Sequence, residues 1–166
     1  HGGSIRIFIS GIGNYKIRKS VKKICKKEKR AKLNSKKVLL NFQKKVIENR
    51  IQLTSLLTKL KKLKKKIIIL SAPAKGMTLI NYCKIDKDFI DFGTEKSSIK
   101  QNLYTPGGNI PIYSDDKILK AMPDYALLLA WNFSKEIVSN NIQYLKKGGK
   151  FIIPIPKIKI ISYKEK

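Results

Sequence analysis

One junction constrains this chain more than anything else in it. Four apolar residues, Ile67-Ile68-Ile69-Leu70, run into Ser71-Ala72-Pro73-Ala74-Lys75-Gly76, and then into Met77-Thr78-Leu79-Ile80-Asn81-Tyr82-Cys83. A short, continuous apolar run rich in Ile reads as a strand buried on both faces. The small residues make a turn that carries a single Lys, and the apolar stretch after it reads as a helix. A strand that passes through such a turn into a helix is a unit able to bind an anionic group at the helix N-terminus.

From Ile67 onward, apolar strand segments alternate with helical ones. The pattern predicts strands near 67–71, 88–92, 125–131 and 150–155, and helices near 75–83, 114–121 and 134–147. That alternation predicts an α/β fold: a small Rossmann-like, doubly wound parallel sheet flanked by helices. Ligands of such sheets sit at the carboxyl ends of the strands. Upstream, Ile5-Arg6-Ile7-Phe8-Ile9-Ser10 alternates and predicts a strand, with Gly11-Ile12-Gly13-Asn14 as a turn. Residues 20–30 read as a polar, Lys-rich helix or linker. Asn34 or Ser35 is the expected N-cap of a long amphipathic helix running to about Lys64. Its apolar stripe comprises Leu39, Phe42, Val46, Leu53, Leu56, Leu60 and Leu63, and Asn49 falls on the same stripe. One helix packed on a domain face explains the stripe better than a coiled coil.

The 166 residues are enough for one domain and a short extra piece. No apolar run approaches the roughly 18 residues that span a bilayer, and the first 20 residues lack the apolar core of a signal peptide. Cys25 and Cys83 are isolated and fit neither a zinc site nor a disulfide framework, so a reducing cytoplasm is expected. The chain opens on His1 rather than Met and is read as a fragment or a processed product. The formal net charge is +26, but the 37 basic residues include only four Arg. Nucleic-acid surfaces favour Arg for bidentate contacts. Lys, Ile and Asn share A/T-rich codons, so the charge reads first as composition and only second as a binding feature.

Three further blocks stand downstream: Lys100-Gln101-Asn102-Leu103-Tyr104-Thr105-Pro106-Gly107-Gly108-Asn109-Ile110-Pro111-Ile112, Pro123-Asp124-Tyr125-Ala126-Leu127-Leu128-Leu129-Ala130-Trp131-Asn132, and Gly148-Gly149-Lys150-Phe151-Ile152-Ile153-Pro154-Ile155-Pro156. Together with Ser71–Cys83 they resemble the C-terminal domain of S-adenosylmethionine-dependent C-methyltransferases, the family that methylates carbon atoms of nucleotide-linked keto-sugars. The resemblance is strong over roughly 35–166 and weaker over 1–10. It implies that residues 1–33 are the tail end of an upstream catalytic domain plus a linker, and that 34–166 form the C-terminal Rossmann-like domain. It also implies methyl transfer to an activated carbon beside a keto group, through an enolate formed by a base. S-adenosylmethionine would be bound by an upstream domain absent from this chain.

The candidate site residues follow. His1-Gly2-Gly3-Ser4 is similar to the segment that closes the family's catalytic domain, where the His is a candidate acid/base; imidazole suits that work near neutral pH. Lys75 beside a helix N-terminus would meet a diphosphate as a point charge. Tyr104, Trp131 and Asn132 would line the substrate site, although Asn132 could instead cap the next helix. Family members usually carry Gly where this chain has Ile69 and Ser71, which puts phosphate affinity in question; they usually carry His where it has Asn109, which weakens a polar role there. Gly11-Ile12-Gly13 lacks the third Gly of a dinucleotide fingerprint, with Lys at position 16, and reads as a turn. His1 is the sole His, so a Ser-His-Asp triad or a metal site is not expected; Asp115-Asp116 reads as a helix start. The expected partner is a nucleotide-sugar, with no membrane. The alternative is a non-enzymatic Lys-rich polyanion or nucleic-acid-binding module, which would lose affinity steeply as salt rises. A third reading is a truncated product without activity.

Overall fold

The computed structural model describes residues 3–163. The chain forms two compact units, 1–48 and 49–166. In the first, helix α1 (Lys19–Arg30) is Lys-rich and has no buried residue. Helix α2 (Lys36–Lys62) begins in this unit and ends in the second. Ser35 caps it, its Oγ accepting the Val38 N–H at 3.3 Å. The strand expected at 5–10 does not form. Alternation says which side of a strand would be buried, but the strand's amides still need a partner, and no described segment pairs with this one. The turn after it is present, closed by the Asn14 N–H donating to Gly11 O at 3.3 Å.

The second unit is built on a sheet of six strands among the described residues: β1 (Ile67–Leu70), β2 (Phe92–Glu95), β3 (Ile112–Ser114), β4 (Tyr125–Leu128), β5 (Lys150–Ile153) and β6 (Lys159–Ile161). Their order is β3-β2-β1-β4-β5-β6. The first five run parallel, and β6 pairs antiparallel with β5. Helices α3 (Ala74–Cys83), α4 (Lys117–Ala121), α5 (Ser134–Asn140) and α6 (Ile142–Lys146) connect them. This is the doubly wound α/β arrangement, and its strand order reverses between β1 and β4.

The apolar run of β1 follows from its place at the centre. Ile67 and Ile69 enter a core with Leu53, Leu57 and Leu60 of α2 and Met77 and Ile80 of α3. Ile68 and Leu70 enter the opposite core with Ile118, Tyr144, Leu145 and Phe151. With both faces covered, no position of β1 is left for a polar residue. Each such side chain contributes about 1.5–3 kcal/mol of burial. In α2 the buried set is Leu53, Leu57 and Leu60, with Leu56 partly buried. The stripe expected from the sequence omitted Leu57 and included Leu63, which stays exposed along with Leu39 and Phe42.

Several boundaries differ from expectation. The strand expected at 125–131 ends at Leu128, and Trp131 opens a short 3-10 turn instead. The strand expected at 88–92 lies at 92–95, because Asp86 starts a turn: its backbone O accepts the Phe89 and Ile90 N–H groups, and its Oδ1 accepts the Asp88 N–H. The helix expected over 134–147 is two helices. Asn141 separates them and its side-chain amide donates to Ile137 O at 2.8 Å, competing with the helical ladder. The helix expected from 114 starts at Lys117, because Ser114 is still paired with Glu95 in the sheet. Among the described residues no helix is long and apolar enough to cross a membrane.

Candidate functional site

Because β1 to β4 are parallel, their carboxyl ends open on one edge of the sheet. At the end of β1 the chain passes through Ser71, Ala72 and Pro73 into α3. Ser71 adopts a left-handed backbone, φ 65°, and its N–H donates to Thr94 O at 2.9 Å. The position therefore keeps a conformation that suits Gly, although Ser occupies it. Two residues into α3, Gly76 lies against β4's exit: a Cβ there would stand 2.6 Å from Leu129 Cβ. The absence of a side chain at Gly76 lets the start of α3 sit close against the end of β4.

That contact sets the place of Lys75. Its ammonium is buried and makes no hydrogen bond among the described residues. It lies 5.0 Å from the centroid of the Trp131 ring and 5.9 Å from that of Phe133, where an aromatic face attracts a cation. A buried ammonium without a hydrogen-bond acceptor is costly, and the positive end of α3 adds to its field. The arrangement is poised for an anion.

Two other buried side-chain atoms lie at the same edge, Thr94 Oγ1 in β2 and Asp115 Oδ1 just after β3. Burial pushes the Asp115 carboxyl above its ordinary range; Thr94 and Lys96 pull it back, while Glu95 and Asp116 push it up. Asp115 also starts the turn into α4, its backbone O accepting the Ile118 N–H at 3.1 Å.

Glu95, at the end of β2, is fully engaged. One oxygen accepts the Ala72 N–H at 2.9 Å; the other accepts the N–H groups of Lys96 and Ser97 at 3.1 and 3.4 Å. Lys100 bridges back to it at 3.5 Å and donates to Ala72 O at 3.2 Å. In a dinucleotide-binding sheet, the acid at this place is free to take ribose hydroxyls and the loop after β1 is Gly-rich. Here the acid is used to tie the loop down, and the loop has no Gly before Gly76. The edge of this sheet does not fit a nucleoside cofactor held in that way.

The residues singled out in the sequence divide into three places. Lys75 and Trp131 are brought together. Asn132 is exposed in the short 3-10 turn Trp131–Phe133, and α5 begins without a side-chain cap. Tyr104 lies instead in a separate groove with Ala72, Ala74, Met77, Lys100 and Ile112. It pairs with Pro111 across a closed loop, inside which Thr105 Oγ1 accepts the Ile110 N–H at 3.1 Å. His1 lies outside the described residues. Sequence reasoning missed Phe133, Glu95 and Lys100. Glu95 ends the strand that was placed too early, and Lys100 opens one of the blocks quoted above. A larger recess lies on α2, lined by Thr54, Ser55, Thr58, Lys59, Lys62 and Leu63. Helix α2 and the residue just after it supply all of it, and no orphaned polar atom points into it, so it reads as a surface furrow.

Fold and edge together define a doubly wound α/β domain that carries a buried cation without a hydrogen-bond acceptor where its first strand enters its first crossover helix. The chain belongs to the C-methyltransferase C-terminal domain family, whose model matches residues 1–156. It is 32% identical over 163 residues to the C-methyltransferase NovU of Streptomyces niveus. That match covers 98% of this chain and 39% of the relative, so the chain spans about two fifths of the relative's length.

Proposed function

We propose that this chain is the substrate-holding C-terminal part of an S-adenosylmethionine-dependent C-methyltransferase acting on a nucleotide-linked keto-sugar. The observation that carries the reading is the Lys75 ammonium, buried against Trp131 with no hydrogen-bond acceptor at the start of α3. A diphosphate would supply the acceptor, and the α3 N-terminus would share its charge. Trp131 would pack on the sugar side, with Asn132 within reach of its hydroxyls. The engaged Glu95 and the loop without Gly favour a methyl donor held outside this sheet, so the residues here bind and orient the acceptor and exclude water. The family membership and the C-methyltransferase relative support the reaction class.

The test is calorimetric titration of the chain with inorganic pyrophosphate and with a nucleoside diphosphate, for wild type and Lys75→Ala. Loss of one charge-assisted contact should weaken both by about tenfold or more. Unchanged affinity in Lys75→Ala would remove Lys75 from the phosphate role. Binding that collapses with salt and ignores Lys75 would favour the polyanion-binding alternative.

A further inference from the structure

We infer that Trp131 is a positioning residue that latches Lys75: its ring holds the ammonium in the empty domain and must give it up before an anion binds. The inference rests on the diphosphate reading of Lys75. Three observations carry it. First, the ammonium is out of reach. Its nitrogen is buried, so a ligand oxygen cannot touch it until something moves. The groups over it are aromatic, with the ring centroids of Trp131 and Phe133 at 5.0 and 5.9 Å from the nitrogen. An aromatic face attracts a cation, but it competes weakly with a phosphate oxygen, whose hydrogen bonds to an ammonium are charge-assisted. A carboxylate in that place would hold the ammonium against the ligand; a ring can be displaced.

Second, the frame around the latch is fixed, so the motion has a defined place. The Gly76 and Met77 N–H groups both donate to Pro73 O, and Gly76 lies against Leu129. Leu129 donates its own N–H to Leu70 O at 3.2 Å, which ties that contact to the sheet. The backbone of α3 therefore cannot carry Lys75 off the rings. Trp131 has a seat of its own, packed on the core that contains Leu128, Ala130 and Phe151. What remains free to swing is the four-carbon stem of Lys75.

Third, the outer layer over the ammonium is the least regular part of this edge. β4 ends at Leu128, and Trp131–Phe133 is a single 3-10 turn, a geometry with poorer hydrogen bonds than an α-helix. Ala130 before it has φ −90° and ψ 47°, and α5 after it begins without a side-chain cap. Asn132 is exposed and Phe133 is 41% exposed. An anion arriving from solvent meets this turn first. The latch thus keeps the cation from weakly hydrogen-bonding anions and releases it to one that offers several acceptors.

Trp131 is the sole Trp of the chain, so its fluorescence reports the latch directly. The full chain is titrated with inorganic pyrophosphate, followed by calorimetry and by acrylamide quenching of Trp131. Lys75→Ala, Trp131→Phe and Trp131→Leu are titrated calorimetrically, with thermal melts to confirm that each is folded. In the wild type, quenching should rise along the binding isotherm as the ring loses its cation. Trp131→Leu should bind pyrophosphate about fivefold more tightly than wild type, and Trp131→Phe, which keeps a weaker aromatic face, should fall between them. A purely structural Trp131 would do the opposite, since its loss would disorder the site and weaken binding. If Lys75→Ala weakens binding while quenching stays flat or neither Trp131 variant binds more tightly, the latch is wrong and the phosphate reading stands. If Lys75→Ala binds as wild type does, the phosphate reading falls and the latch with it. Should Trp131→Leu fail to fold, wild-type quenching and Trp131→Phe decide the matter alone.

Discussion

Two lysines flank the same turn and live in opposite circumstances. Lys75, on the β4 side, is buried on an aromatic face with nothing to accept its hydrogens. Lys100, on the β3 side, is about half exposed and tied to Glu95 and Ala72. A surface ammonium with a carboxylate partner is worth little to stability, whereas a buried one without an acceptor costs stability. Lys100 helps to build the turn, and under the proposed function Lys75 is the cation that meets the ligand.

The largest expected effect tests the frame that holds both. Gly76→Val would push atoms into Leu129 and force α3 off the end of β4, a cost of about 3 kcal/mol. Thermal unfolding should show a clearly lowered midpoint, and a wild-type melt would mean that α3 is not pinned there. Glu95→Gln comes next. It removes the charge that accepts three backbone amides and Lys100, a loss of about 2 kcal/mol. Its pH dependence gives a second readout. Burial alone would raise the Glu95 carboxyl, but the amides of Ala72 and Ser97 and the Lys100 ammonium outweigh burial and hold it below its ordinary 4.5. The stabilisation is therefore complete above about pH 4.5 and lost as the pH falls through the folded-state value. Wild type should lose stability in acid more steeply than Glu95→Gln; parallel acid curves would mean that Glu95 is not the tie it looks to be.

The smallest effects sharpen the contrast between the two lysines. Lys100→Met should cost about 0.5 kcal/mol. Lys75→Met keeps the packing on Trp131 and removes a buried charge, so stability should hold or rise slightly. Denaturant melts of the two side by side decide it. A Lys75→Met chain less stable than Lys100→Met would show that Lys75 supports the fold rather than a ligand.

Much of this fold was legible in the residues. β1, α3, α4 and most of α2 follow from runs and periods that physics reads locally. The expected doubly wound order also followed, because alternating strands and helices leave few other arrangements. The short β3 and β6 were not read as strands, since three residues carry no usable period. β2 was misplaced, since Phe92-Gly93-Thr94-Glu95 has weak strand propensity; it is a strand because Ile69 and Ile112 close over Gly93. Lys75 and Trp131 could each be named from sequence, but not their contact. Nothing local says that Glu95, 23 residues from Ala72, spends its charge on that turn.

The sequence by itself determined the central strand, the helix after it and a cation between them, since burial on two faces demands an unbroken apolar run and a turn demands small residues. Only the tertiary structure decided which cation was left without an acceptor. That outcome depends on where Glu95 and Trp131 arrive from distant parts of the chain, and desolvation and charge pairing are fixed by distances in space that no local spacing encodes.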